Sequence, residues 1–367
     1  MDASLPQEQS ALSRRLARVD WIGVVLWVFR AVIILLVIYG TVAKLFFNVG
    51  TQYSSTQWLN FTVSGLAQGS LYALIALGYT LVYGVLFMIN FAHGEFFMSG
   101  AMTATIFVAV PLAATGFLES QPILSLLLMF VVSMLTSVGI ALLTERVAYR
   151  PLRRAPRLVP LITAIGASFF WQYFFRGLYG SRLVGFPEME IFSGRIRIFG
   201  LAFAKIDLVV IAITIVSLIG LYIFIMRTKT GKAVRAVAEN KDVAALMGID
   251  VDRTISITFA TGAAMAGIAG VLFAMVFRQV HFFMGFVPGI KAFTAAVLGG
   301  IGSIPGAAIG GLFLGVFEAL GPPLFLEGLG IPGAHQLKDV IAFTMLVLVL
   351  IFRPQGILGE RLAEEKA

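Results

Sequence analysis

Eight stretches of about twenty or more mostly apolar residues leave this chain few folds to choose from. They lie at 22–47, 59–88, 96–118, 123–145, 158–180, 206–226, 254–277 and 336–352. A hydrocarbon core about 30 Å thick is crossed by about 20 residues of helix. Inside it every backbone N–H and C=O has to be bonded within the protein, so the stretches read as helices. Composition agrees: 59% of the 367 residues are hydrophobic and 13% are charged, whereas a soluble domain carries roughly a quarter. That is too little charge to cover a water-soluble particle, and the excess apolar surface has to face lipid. The fold expected is an all-α polytopic membrane protein. With no Cys in the sequence, disulfides, thiolate metal sites and thiol nucleophiles are excluded.

The formal net charge of +8 informs through its placement. Basic residues in short loops mark the cytoplasmic side of a membrane protein. Segments 1–21, 145–157, 227–253 and 353–367 carry 17 Lys and Arg, including Arg14, Arg15, Arg18, Arg154, Arg157, Arg361 and Lys366; the alternate loops carry 5, namely Arg182, Arg195, Arg197, Lys205 and Arg278. Both termini are therefore expected in the cytoplasm, with 1–21 a cytoplasmic segment, 22–47 a transmembrane helix and 354–367 a cytoplasmic tail. Basic charge distributed in this way calls for a lipid environment and not for nucleic acid. A cleaved signal peptide is the other reading of the N-terminus, although 22–47 is longer than a typical apolar signal core and no clear small-residue cleavage site follows.

On this topology the glycine-rich stretch 289–320 begins and ends outside. It has to contain two crossings or a re-entrant pair, expected as a short half-helix, a tight turn at Gly302-Ser303-Ile304-Pro305-Gly306, and a helix returning to about Leu320. Broken backbone at membrane depth needs protein or a water-filled path around it, which makes Gly299, Gly300, Gly302 and Gly306 candidates for pathway or packing. Small residues also recur at spacing four at Gly311 and Gly315 and at Gly262, Ala266 and Gly270, a pattern that lets helices approach closely. Outside the membrane, Met189–Ile198 alternates around Ser193-Gly194 and reads as a small external β-hairpin or as an irregular loop.

Ionisable residues within spans are costly and each raises a functional question. Glu95 with His93, Glu318, Lys291 and Arg176 are the cases here, with Gln68 and Asn90 as further polar candidates. The bland readings are solvation of His93 and Glu95 near the cytoplasmic interface, an interfacial Glu318, and a Lys291 that snorkels outward. No catalytic or metal-binding set emerges. His occurs only at 93, 281 and 335, without an H-E-x-x-H pair, and Gly231-Lys232 is followed by Ala233, so no phosphate-binding loop is present. If ATP drives this protein, another subunit binds it. Segment 227–253 carries six basic and four acidic residues, with a helix expected over Ala233–Met247 and ended by Gly248. It suits docking into a partner's groove; a solvated connector is the alternative.

Longer blocks then become recognisable: GLAQGSLYAL at 65–74, GYTLVYG at 78–84, MINFAHGE at 88–95, ERVAYRP at 145–151, the 236–250 loop, 291–306, and PQGILG at 354–359. From about 58 to 360 the chain resembles the Liv-type permeases of branched-chain amino acid ABC importers. The resemblance implies a permease transmembrane domain at 58–353, a second homologous permease subunit, two cytosolic ATPase subunits holding ATP-Mg, an external (periplasmic) amino-acid-binding protein, and location in the cell inner membrane. It places the coupling contact with the ATPase at Glu239, Asn240, Asp242, Ala245 and Gly248. The expected substrates are branched-chain or other hydrophobic or neutral amino acids; urea and short-chain amide importers have closely similar permeases. The chain departs from many such relatives in the helix at 22–47, which either packs on the permease rim or recognises a partner. A passive channel or secondary carrier is the rival class, drawing on the intramembrane charges but having no need of the 227–253 loop. An intramembrane enzyme has no catalytic constellation to support it.

Overall fold

A computed structural model describes residues 21–153, 155–156, 158–198, 200–353 and 355–358. Nearly all of the expected segments 1–21 and 354–367 falls outside the described residues, as do Arg14, Arg15, Arg18, Arg154, Arg157, Arg361 and Lys366. The helices are α1 (Trp21–Phe46), α2 (Ser55–Leu86), α3 (His93–Ala114), α4 (Pro122–Leu152), α5 (Leu158–Tyr179) and α6 (Lys205–Arg227). They continue with α7 (Lys229–Glu239), α8 (Lys241–Leu246), α9 (Val251–Phe277), α10 (Phe286–Gly299), α11 (Ile304–Gly321) and α12 (Lys338–Phe352). Among the described residues nine helical stretches are long and apolar enough to cross a membrane. They are the eight expected spans and the returning arm of the glycine-rich pair, so the chain is a multi-pass α-helical membrane protein.

The glycine-rich region forms its broken pair with the turn shifted. Gly300 and Gly302 take positive φ, 106° and 95°, a backbone that glycine adopts without steric cost. Gly306, expected in the turn, already lies within α11, with Pro305 in the first turn, where its missing N–H costs nothing. Residues 355–358 fasten the turn: Ile357 and Leu358 donate backbone N–H bonds to the carbonyls of Leu298 and Gly299 at 2.8 and 2.9 Å. The hairpin is likewise displaced. Its strands are β2 (Arg195–Ile198) and β3 (Leu201–Ala204), with Ile198 opposite Leu201. Glu190–Phe192, expected in the first strand, is a 3₁₀ turn. Gly200 at φ 81° supplies the left-handed residue that a two-residue hairpin loop needs. A second pairing joins β1 (Val184–Gly185) to β4 (Gln279–Val280).

The chain forms two compact units. The smaller comprises α1 and Pro322–His335. A Cβ on Gly40 would overlap the carbonyl oxygen of Phe325, and one on Gly328 would overlap that of Gly40. Beside this close approach the buried Lys44 Nζ donates to Glu327 Oε2 at 2.6 Å. Most other α1 side chains are exposed and apolar, as a lipid-facing helix requires.

The larger unit, from Tyr53 to Gly321 and again through α12, is built around α2. This helix starts at a capping box, with Ser54 Oγ accepting from Gln57 N and Gln57 Oε1 accepting from Ser54 N. It packs against α6, α9, α10 and α11. Gly65, Gly69 and Ala73 of α2 meet Gly311, Gly315 and Ala319 of α11. A Cβ on Gly65 would come 2.8 Å from Ala319 Cβ, one on Gly69 2.8 Å from Leu312 Cα, and one on Gly311 2.5 Å from Ala73 N. Lipid offers no hydrophobic drive for helices to associate, so this backbone-to-backbone fit supplies the attraction. Helix α9 uses the same device, with Gly267 on Met134 of α4 and Gly270 on Phe97 of α3. Hydroxyl bonds to carbonyls add to it, from Ser133 to Gly267 and from Ser137 to Phe96, each 2.7 Å.

Forcing a side chain into the α2–α11 contact should separate the helices. Gly315→Leu, whose Cβ overlaps the Gly69 backbone, is expected to destabilise by about 3 kcal/mol or more. In α4, Gly139→Ala meets nothing within 4 Å and should change stability by no more than about 1 kcal/mol. Thermal melting of the purified protein in detergent checks both.

Candidate functional site

Helices α2 and α3 are joined by a short non-helical excursion at 87–92. Phe87 ends α2 in the left-handed region. Asn90 holds the return, its Oδ1 accepting from Ala92 N at 3.1 Å and from the Tyr149 hydroxyl at 2.5 Å. His93, which opens α3, does not sit at the cytoplasmic interface. Its ring lies where a Cβ on Gly78 would be, about 12 Å back from the end of α2 at Leu86, and packs edge-on to Tyr79 at 4.9 Å. Helix α3 therefore begins deep in the bundle.

Helix α10 also begins there. Gly94 of α3 and Gly285, the residue before α10, touch backbone to backbone, and a Cβ on Gly289 would stand 3.2 Å from Gly94 Cα. Neither helix N-terminus has a side-chain cap. Glu95, in the first turn of α3, is 1% exposed. Oε1 accepts from Ser168 Oγ at 3.0 Å and Gln172 Nε2 at 2.7 Å, both from α5. Oε2 is buried without a hydrogen-bond partner. Glu95 lines a cavity of about 310 Å³ whose other walls include Tyr79, Phe91, Ile165, Phe169 and Ile290. A buried carboxylate is costly unless charge or donors compensate it, and two helix N-termini supply partial positive charge.

A second polar cluster joins α2, α10, α11 and α12. Lys291 Nζ donates to Glu318 Oε1 at 2.5 Å and to Asp339 Oδ1 at 2.6 Å. It also lies 3.4 Å from the Tyr72 hydroxyl, which accepts from Gln68 Nε2 at 2.8 Å. Lys291 does not snorkel and Glu318 does not reach an interface: their side chains are 4% and 0% exposed. Each removes the other's need for water. Arg176 lies over the rings of Tyr173 and Phe282.

The expected coupling residues share one short segment. The single helix foreseen over Ala233–Met247 is broken by Asn240, which is extended at φ −156° and caps α8 with its side chain on the N–H groups of Asp242 and Val243. Thr228 caps α7 and Asp250 caps α9 in the same way. Gly248 at φ 80° closes α8 through Gly248 N to Ala245 O and Ile249 N to Ala244 O, each 3.0 Å, the pairing of a Schellman motif. Lys241 reaches back towards the end of α2, 5.8 Å from the Phe87 ring, and burial, helped by the Arg153 charge, pulls its pKa below the usual lysine value. Nearby, Arg153 pairs with Glu145 of α4 and with Asp252 of α9, and Arg150 also pairs with Asp252.

The candidates thus sort into four places: Asn90, His93 and Glu95 at the interrupted helix ends; Gln68 and Glu318 at the ionic cluster; Gly299, Gly300, Gly302 and Gly306 at the turn; and Glu239, Asn240, Asp242, Ala245 and Gly248 around α8. Sequence reading missed Ser168 and Gln172, although a polar pair four apart in an aromatic-rich span was a usable signal. It also passed over Val243, Leu246 and Met247, which expose apolar side chains, Leu246 to 87%, on an otherwise polar loop.

Helices interrupted inside the bundle around a buried carboxylate and a small cavity make up the architecture of a membrane transport component. Residues 61–350 match the family described as branched-chain amino acid transport system / permease component, and the chain belongs to that family. It is 45% identical to the high-affinity branched-chain amino acid transport system permease protein BraD of Pseudomonas aeruginosa, over 82% of this chain and 96% of that one. Identity to the permease protein LivH of Escherichia coli is 42%, over 83% and 97% of the two chains. The probable LivH of Methanocaldococcus jannaschii is 30% identical over 79% and 89%.

Removing one partner of the Lys291–Glu318 pair leaves a buried charge uncompensated. Lys291→Met is expected to cost about 3–5 kcal/mol, and adding Glu318→Gln should recover part of that loss. A double-mutant cycle on thermal unfolding in detergent measures the coupling.

Proposed function

We propose that this chain is the translocation subunit of an ATP-driven importer for branched-chain amino acids. In this reading it lies in the inner (plasma) membrane with both termini cytoplasmic and pairs with a second homologous permease. It receives substrate from an external binding protein and is moved by two cytosolic ATPase subunits that hold ATP-Mg. Membership of the family and the names of its relatives support the substrate class.

The observation that carries the mechanism is α8. The Asn240 cap and the Gly248 closure bound a six-residue helix, set between capped helices α7 and α9, that presents Val243, Leu246 and Met247 outward. Exposed apolar side chains on a rigid polar loop mark a docking surface. Asn240 and Gly248 shape the helix, Glu239, Asp242 and Ala245 flank the contact, and Lys241 ties it to the end of α2. Motion of an ATPase groove that grips α8 is thereby passed to α2, against which α3 and α10 pack. Such coupling requires the ATPase to bind the two transport conformations with different affinity.

Reconstitution of the chain with its co-expressed subunits in proteoliposomes tests this reading. ATP-dependent leucine uptake stimulated by the binding protein is expected. Replacing Leu246 and Met247 by Asp should weaken ATPase association by about 2 kcal/mol or more, roughly 30-fold, and abolish stimulation while thermal stability is kept. Leucine uptake without any ATPase, or coupling undisturbed by the double substitution, contradicts it.

A further inference from the structure

We propose that the cavity at Glu95 is a binding site for the zwitterionic head and branched side chain of an amino acid in transit, a proposal that rests on the importer reading and specifies its substrate contacts. Three independent features of the cavity match three parts of such a molecule. Glu95 Oε2 is a buried acceptor with no partner in the protein, while Oε1 is fixed by Ser168 and Gln172; the free oxygen is placed for an α-ammonium. A carboxylate so constrained discriminates sharply, because a ligand lacking the ammonium leaves it unpaired.

The second feature is the start of α10. Gly285, Phe286, Gly289 and Ile290 line the cavity, so its first turn forms a wall. The helix is fourteen residues long, and Gly285 ahead of it brings no side-chain cap. Phe286 N already bonds the Phe283 carbonyl at 3.3 Å and Pro288 has no N–H, so the N–H groups of Gly285 and Val287 are what this end offers an α-carboxylate. Glycine at 285 and 289 lets this turn pack directly on Gly94 of α3.

The third is the remainder of the lining. Phe91, Ile165, Phe169 and Ile290 are apolar and suit a branched hydrocarbon side chain. A volume of about 310 Å³ sits at the small end of the range of roughly 300–1,000 Å³ typical of ligand sites. Ile165 and Phe169 are partly exposed, at 42% and 48%, so the cavity reaches the surface of this chain beside α5. Depth agrees as well, since transporter sites commonly lie where interrupted helices meet inside the membrane.

The full complex in nanodiscs, nucleotide-free and without the binding protein, provides the test. Radiolabelled leucine is displaced by unlabelled leucine, by 4-methylpentanoate, which lacks the amine, and by isopentylamine, which lacks the carboxylate. Wild type should bind leucine at least tenfold more tightly than either analogue. Glu95→Gln should lower leucine affinity at least tenfold and remove the preference over 4-methylpentanoate. Ile165→Trp, which narrows the apolar end and touches no polar group, should weaken leucine at least tenfold more than alanine. If Glu95→Gln does not assemble, Ile165→Trp decides alone. No leucine binding by wild type, or affinities unchanged in the variants, overturns the site while ATP-driven uptake by the wild-type complex leaves the importer reading intact. Loss of that uptake in wild type removes the importer reading itself.

Discussion

Backbone that leaves the helix inside a packed bundle has no water to bond, and among the described residues the larger unit has two such places: between α2 and α3, and around α10. Everything else in the larger unit serves to cover those two places. The requirement explains why α2 is buried along most of its length and why its contact with α11 is made of glycine and alanine. Only small residues bring neighbouring backbones near enough to close off broken segments without a water-filled gap. At one break Asn90 Oδ1 accepts the N–H of Ala92, and the Tyr149 hydroxyl holds that side chain in place. Residues 355–358 supply backbone hydrogen bonds at the other, where Leu298 and Gly299 would otherwise end with unpaired carbonyls.

Covering the breaks concentrates polar chemistry in an otherwise apolar protein. Helix N-termini that meet at Gly94 and Gly285 bring partial positive charge to one point, and Glu95 is the side chain that answers it. The Lys291 cluster is a different solution to a related problem. There a cation on the short helix α10 is neutralised by carboxylates from α11 and α12, which ties the half-helix to the two helices behind it. Each cluster keeps one carboxylate oxygen without a hydrogen-bond partner, Glu95 Oε2 and Glu318 Oε2; Glu318 has the Lys291 ammonium beside it, whereas Glu95 lines a cavity.

Much of this was legible in the chain itself. Apolar runs of the right length and spacing-four glycines are local features, and local features survive into the structure. Gly248 could be read as a helix end because a left-handed residue is needed there whatever surrounds it. The break at Asn240 was missed, since its side chain caps as readily as it sits within a helix and only the neighbouring packing selects the cap. The hairpin moved for a similar reason: Ser193-Gly194 and Gly200 both offer turn chemistry, and pairing with Leu201–Ala204 decided between them.

What the sequence determined alone was the class of molecule, because hydrocarbon thickness and backbone hydrogen bonding admit one reading of so many long apolar segments. The family, too, was visible in its ordered motifs. Only tertiary structure decided the fate of the charges. Whether Lys291 snorkels, whether Glu318 reaches water and whether Glu95 is solvated depend on which groups from distant helices arrive beside them. Ser168 and Gln172 lie more than seventy positions from Glu95 along the chain, and desolvation is a property of the space around a group and not of its neighbours in sequence.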